Sequence, residues 1–436
     1  NVLAANTTGS QNTAVGYQAL DANTTANGNT GLGYQALSAN TTGASNTAVG
    51  AYALDAQTSG GDHNAAFGYN SMSENTTGDN NTACGRSALA NNTTGSQNTA
   101  VGRGALDSNT TASSNTAVGY YALEANTTGG SNVALGYNAL LTSTTAAGVT
   151  AIGYEALANQ TTPYYGTAVG HQALYANTTG TDNTAVGASA LDANTTGINN
   201  VAVGKDALGA NTTASYNTAV GSNALDSNTT GTQNIAMGSG SLNDVTTGDY
   251  NIGIGYRTGG YSTTLTTGDK NILIGTDAHT DGVDAQSQIV IGTYQMQGKG
   301  NSTGFISPGG GGVYQGNNSS SWSTTSDRRI KKNIVSNTTG LDKLNQITVR
   351  NFEYRTEDEI IADSPELSDV SGSAVVHKEG LQLGVIAQEI ESILPDVVKT
   401  ESTGVKSVDP ENITWYLINA VKELSAKVEE LESKLN

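Results

Sequence analysis

The sequence predicts a mainly β protein: a parallel β-solenoid of 17-residue repeats forming a fibre, followed by a small α+β module that closes on a heptad helix. Three observations lead there. A glycine returns at a spacing of 17 residues from Gly16 to Gly292, with one interval of 18 and one of 20. Apolar residues hold fixed places around that glycine. From Ser326 onward the composition turns ordinary, and the last helix carries apolar residues at heptad spacing.

Composition bounds the rest. With 54 glycines, 3 phenylalanines, 2 tryptophans and 13% charged residues among 436, the chain lacks the means for an ordinary globular core. Disorder joins high net charge to few apolar residues, whereas here charges are sparse and apolar residues strictly placed. The formal charge is −19, with 6 Lys/Arg against 18 Asp/Glu before Ser326 and 13 against 20 from Ser326 on. Both parts are acidic, which argues against nucleic acid as a partner. Cys84 is the sole cysteine, so neither an intrachain disulfide nor a Cys-rich metal site is expected. No apolar run reaches the roughly 18 residues of a spanning helix, so no membrane insertion is expected. The opening NVLAANTTGS has no basic and apolar leader pattern. Since Asn6-Thr7-Thr8 already fills a repeat position, an N-terminal part is expected to precede it.

The repeat columns carry the fold prediction. The residue before each anchor glycine is apolar in all 17 copies, from Val15, Leu32 and Val49 through Phe67 and Cys84 to Ile291. Three places before the anchor the usual residue is Thr, giving way to Val133, Val201, Ile235, Ile252, Ile272 and Ile289. Strand period two puts these two columns on one face, which we expect to point inward. Leu or Met four places after the anchor (Leu20, Leu37, Leu54, Met72 and onward) supplies a second inward knob. The anchor lies between the knobs, where a side chain would crowd the turn or positive φ is wanted. Each coil then has two short strands, a bend at the anchor and an NTTG loop, and coils stacked about 4.8 Å apart make a rod on the order of 80 Å long. Stacking buries a continuous apolar column and turns the Asn and Thr columns into ladders. The tyrosines after the anchor (Tyr17, Tyr34, Tyr69, Tyr120, Tyr137, Tyr154, Tyr256) are expected on one surface or an inter-chain seam. Cys84, in a valine column, is expected to be a small buried hydrophobe.

The pattern NTAVG-x-x-AL resembles the head repeats of YadA-like trimeric adhesins over roughly residues 1–292, with a longer period and an added NTTG loop. The resemblance implies a left-handed parallel β-roll that associates as a trimer. Other motifs have plainer readings. The Asn-Thr-Thr triplets are formal glycosylation sequons, better explained as a periodic loop element. Threonine columns resemble ice-binding solenoids, a reading weakened because the triplet reads as a loop. His63, His171 and His279 sit at unlike positions in their repeats, so no shared metal site and no cofactor are expected.

After Gly255 the pattern shifts to NIxIG forms with bulkier residues, as a terminal capping region should. Residues 1–298 thus read as the array. Residues 299–325 read as a Gly/Ser-rich connector around Pro308, with possible short strands at Val313-Tyr314 and Ser321-Trp322-Ser323. The module 326–436 predicts a helix over 341–346, strands near 349–354 and 381–386, a helix over 387–393 stopped by Pro395, and a long helix opened by Asp409 as N-cap with Pro410 in its first turn. That helix, 410–436, places Leu417, Val421, Leu424, Val428, Leu431 and Leu435 at alternating spacings of 4 and 3, an a/d seam that calls for self-association. Valine at a and leucine at d lean by themselves to a dimer.

SDRRIKKNI (326–334), LGVIAQEIESILPDVV (383–398) and SVDPENITWYLINAVKEL (407–424), in that order before a coiled coil, resemble the intramolecular chaperone domain that ends phage endosialidase tailspikes and many other tail fibres. The family motif S-D-x-R-x-K-x-N-I is matched by Ser326, Asp327, Arg329, Lys331, Asn333 and Ile334. The resemblance implies a homotrimer and self-cleavage of Thr325–Ser326, with Ser326 as nucleophile and Lys331 as its base. Asp327, Arg329 and Asn333 are motif support without an assigned chemical step. The chemistry is coherent, because a serine needs a neighbour to take its proton and the cations Arg328, Arg329 and Lys332 favour a neutral Lys331. On residue chemistry alone, a turn-capping serine and a solvated lysine remain the plainer pair. The expected protein is a viral tail fibre or spike located on the virion, facing a host cell-surface receptor such as a glycan or outer-membrane component. A bacterial surface adhesin is the alternative, although no β-barrel anchor pattern ends the chain. A glycan-degrading spike would need a paired-carboxylate cleft, and no insertion large enough interrupts the array.

Overall fold

The structure, a computed structural model, describes residues 1–161, 165–260, 262–307, 313–315, 322–324, 328, 331–356, 359, 380–400 and 406–435. It divides into two compact units, Asn1–Thr325 and Ser326–Asn436.

The first unit is the parallel β-solenoid that the repeat predicts. Each coil contributes one strand, from β1 (Thr13–Val15) to β17 (Ile289–Tyr294), three residues long until β16 (Ile272–Thr276) and β17 lengthen to 5 and 6. Successive strands pair in parallel one repeat apart, so Thr13 faces Thr30 and Thr167 faces Thr184. The sheet continues beyond residue 298. β18 (Gly304–Ser307) adds in parallel to β17, and β19 (Val313–Gln315) and β20 (Trp322–Thr324) then close the end as an antiparallel meander.

The face assignment of the strands has to be reversed. The columns at −3 and −1 do share a face, but that face points outward: Val15 is 56% and Phe67 41% exposed, while the residue between the columns, Ala66, is 0% exposed. Cys84 shares the outward column and is exposed, not buried. The reason is space. A coil of 17 residues is too flat to hold two bulky layers, so the interior takes Ala from the strand and Ala-Leu from the opposite wall, such as Ala48, Ala53 and Leu54, all fully buried.

That opposite wall is not a second strand. After the anchor the chain runs through consecutive turns in which the second and fourth residues adopt left-handed backbone, as at Gln18 (φ 53°) and Leu20 (φ 51°). Such a conformation costs a leucine roughly 1–2 kcal/mol, and complete burial of its side chain returns about 1.5–3 kcal/mol. The hydrogen bond from Leu20 N to Ala36 O at 3.0 Å locks the turn onto the next coil. The anchor glycines are irreplaceable on two grounds: Gly119 has φ 141°, and a Cβ there would lie 2.3 Å from Gly136 O of the next coil.

Polar ladders complete the interior. Asn109 Nδ2 donates to Asn92 Oδ1 at 2.8 Å, and Asn126 Nδ2 donates to Asn109 Oδ1 at 3.0 Å. A parallel row runs through Asn98, whose backbone N–H donates to Asn81 Oδ1 at 2.9 Å. Threonine hydroxyls also point along the stack, as Thr93 Oγ1 donates to Thr110 O at 3.0 Å. Tyr120, Tyr137 and Tyr154 stack on the surface with centroids 5.4 and 5.2 Å apart, followed by His171 at 5.1 Å.

The second unit is small and mixed. It contains α1 (Leu341–Leu344), a hairpin of β21 (Arg350–Phe352) with β22 (Gln382–Gly384), α2 (Ala387–Glu391), a 3-10 turn at Pro395–Val397, a hairpin of β23 (Val398–Thr400) with β24 (Lys406–Val408), and α3 (Pro410–Leu435). The antiparallel pair β23–β24 is absent from the expected elements, although two short β-branched runs on either side of Ser402-Thr403-Gly404 are a hairpin signal. Ile390, Leu394, Val397 and Tyr416 form the core, flanked by Leu344, Ile347, Val385 and Ile413. Asp409 caps α3 as expected, its Oδ1 accepting from the N–H of Glu411 at 3.0 Å and of Asn412 at 3.3 Å.

Candidate functional site

Thr325, Ser326, Asp327 and Arg329 lie outside the described residues, so the proposed nucleophile and scissile bond carry no geometry here. The rest of the motif is described. Arg328, Lys331, Lys332 and Asn333 are exposed, and Lys331 N donates to Arg328 O at 3.2 Å. Asn333 has left-handed backbone with φ 55°, a conformation asparagine tolerates better than most residues. Asn333 thus has a backbone role that its place in the motif does not disclose.

Downstream the chain is fastened to α3. Asn419 Nδ2 donates to Asn337 O at 3.0 Å and to Thr339 O at 3.1 Å. Glu423 Oε2 accepts from the N–H of Leu341 at 3.0 Å. Between these bonds lies Gly340, buried, where a Cβ would stand 2.5 Å from the Ala420 nitrogen. Only glycine lets the segment approach the helix backbone so closely. Sequence reasoning missed all three residues. The available signal was Gly340 directly before a helix, together with polar Asn419 and Glu423 off the apolar stripe of α3.

Beside this clamp is a shallow polar cleft of about 200 Å³ lined by Asn337, Asp396, Asn412, Trp415, Tyr416 and Asn419. Tyr416 Oη donates to Asp396 Oδ2 at 2.6 Å, and this bond to a carboxylate raises the phenol's pKa. Farther along, Arg350 grips Glu389 through Nε and Nη2 at 2.8–3.1 Å, which lowers the Glu389 pKa. Lys406 pairs with Glu391. These pairs brace β21, α2 and β24. They present no nucleophile and base in contact. Among the described residues no group of three His, Cys, Asp or Glu is arranged to hold a metal, and no helix is long and apolar enough to cross a membrane.

The apolar stripe of α3 is open on the single chain. Leu417, Val421, Leu424, Val428, Leu431 and Leu435 are all at least 46% exposed. The second unit thus has an exposed apolar stripe on α3, and the solenoid has an outward apolar column of its own.

Residues 326–399 match the family model described as chaperone of endosialidase, so the second unit carries a domain of that type, which follows the solenoid unit in the sequence. No curated protein and no solved structure matches the chain.

Proposed function

We propose that this chain is the shaft of a viral tail fibre or spike that attaches to a host cell surface as a homotrimer. Its C-terminal unit directs association and folding and is then released by cutting at Thr325–Ser326. The observation that carries this reading is the position of the chaperone-of-endosialidase match, which begins at Ser326, the first residue of the second compact unit. Two further features support it. The outward columns of the solenoid hold no charged residue in any of the 17 coils, in a part of the chain with 18 acidic and 6 basic residues. Acidic copies repel one another through most of their surface, and an uncharged apolar stripe gives them one face on which to meet. The exposed stripe of α3 gives the C-terminal unit the same need. A long parallel array forms through non-local pairing and leaves edges open while it folds, so a seed that aligns the chains removes the register problem.

The cut follows from serine chemistry at a residue that begins the released fragment. Ser326 Oγ attacks the carbonyl carbon of Thr325 while the Lys331 amine acts as the base that takes the hydroxyl proton. The C–N bond breaks, the proton passes to the departing Ser326 nitrogen, and an ester joins Thr325 to Ser326 Oγ. Water then hydrolyses that ester, leaving the Thr325 carboxylate and a free serine hydroxyl. Wild-type protein should therefore run as fragments of 325 and 111 residues on a denaturing gel, with Ser326→Ala and Lys331→Ala remaining at 436. Continued cutting in both variants would sink the dyad.

A further inference from the structure

The clamp and the apolar stripe occupy different faces of one helix. At 100° per residue, the gripping face of Tyr416, Asn419, Ala420 and Glu423 lies about 120° around α3 from the line through Leu417, Val421 and Leu424. The helix is therefore able to hold Asn337–Leu341 with one face while another copy of the helix covers the other. The gripped segment is short and begins close behind the junction. Lys331 stands 6 residues before Asn337, so it stays within roughly 20 Å of the clamp even if the chain between them is fully extended.

We propose that Asn419 and Glu423 are positioning residues for the junction: by tying Asn337–Leu341 to α3, they make association of α3 felt at the segment that carries Lys331. The inference rests on the cleavage reading above and deepens it, naming what links assembly to the cut. A free tether samples many arrangements of serine, lysine and scissile carbonyl. A tether anchored to an ordered bundle samples fewer, and the rate of an intramolecular step rises with the fraction of arrangements that are reactive. Asn419 suits this task because one amide NH2 serves two backbone carbonyls, and Glu423 because it takes up the free N–H at the start of α1.

Two measurements on the full chain test this. In the first, refolded wild type, Asn419→Ala, Glu423→Ala and Glu423→Gln are compared for self-cleavage rate and for native mass in the uncut Ser326→Ala background. Asn419→Ala and Glu423→Ala should assemble to the same mass and cleave about tenfold more slowly, the effect of losing one or two hydrogen bonds. Glu423→Gln keeps an acceptor oxygen and should cleave at the wild-type rate. In the second, the assembled Ser326→Ala protein is treated with trypsin, and nicking after Lys331 and Lys332 is followed. The clamp variants should be nicked about tenfold faster. Assembled variants with wild-type cutting and nicking rates would overturn the proposal, as would loss of assembly in both alanine variants, which would assign the bonds to folding of the helix. A wild-type chain that never cuts overturns the cleavage reading alone, since the nicking rates still decide whether the clamp confines the junction.

Discussion

Leu123 has φ 54° and is fully buried, and this combination recurs at the equivalent leucine of nearly every coil. No local propensity favours a leucine in left-handed backbone. The stack holds it there, because its side chain fills the core and its N–H bonds Ala139 O at 2.9 Å in the next coil. Inside the stack, from Asn23 to Asn228, the asparagine of each Asn-Thr-Thr triplet is equally committed to the interior. Asn109 is 0% exposed and donates to Asn92 Oδ1 and Ala112 O, so a glycan has no access to it in the folded rod. Where the row is broken the effect is visible. Asn126 Oδ1 and Asn228 Oδ1 lack donors because Ser143 and Val245 stand where the next asparagine belongs. Carboxylates at the coil edges are strained in another way: burial, and then Glu74 in the next coil, raise the Asp55 pKa from 3.8 to about 6. As pH rises between these values, the unfolded chain ionises while the folded chain keeps its proton, so Asp55 lowers stability progressively and fully above pH 6. Asp55→Asn should raise Tm by roughly 1–3 °C at about pH 7.5 and leave it unchanged near about pH 3.5. A shift of equal size at both values would remove the titration argument.

At the scale of elements, the period, the parallel stack and the limits of the long helix were legible, because each follows from spacing. Seventeen residues between glycines dictate a coil, and Asp409-Pro410 dictates a helix start. Two matters were not legible. Strand parity failed at Val15 and Phe67 because their apolar character suggested a core, and a sequence does not reveal how little room a flat coil encloses. The turn-built wall through Gln18 and Leu20 failed because its conformation is imposed by neighbouring coils. In the second unit α1, α2 and β21 all fall within their expected spans, shortened at the ends, whereas the clamp of Asn419, Gly340 and Glu423 depends on contacts 80 to 82 residues apart in the chain. For α3 the expectation concerns association. Leu424 is 51% exposed and lies outside the core of its unit, so Leu424→Asp leaves that core intact and should keep the helical signal in far-UV circular dichroism. In the proposed homotrimer it should lower the sedimenting species from three chains to one. A mutant that sediments as three chains would refute the stripe as the contact between helices.

For the whole molecule, the proposed assembly brings copies together on the outward columns. Cys84 is a reporter built into them, as the sole cysteine, exposed on the single chain and flanked in its column by Phe67 and Val101. If the copies cover this face, a maleimide should leave Cys84 unmodified in the native assembly and label it fully after denaturation, with Cys84→Ser as the blank. Rapid labelling of the intact assembly would locate the contact on another face. The anchor glycines carry a last consequence. From Gly16 to Gly275 each is closed by the glycine of the next coil, and strand, ladder and carbonyl contacts fall one repeat away, so no interior coil depends on its rank in the series. Unequal recombination that duplicates or deletes one whole repeat therefore yields a chain that still stacks, lengthened or shortened by about 4.8 Å. The gene can adjust the reach of its product in fixed increments, as links are added to or taken from a chain.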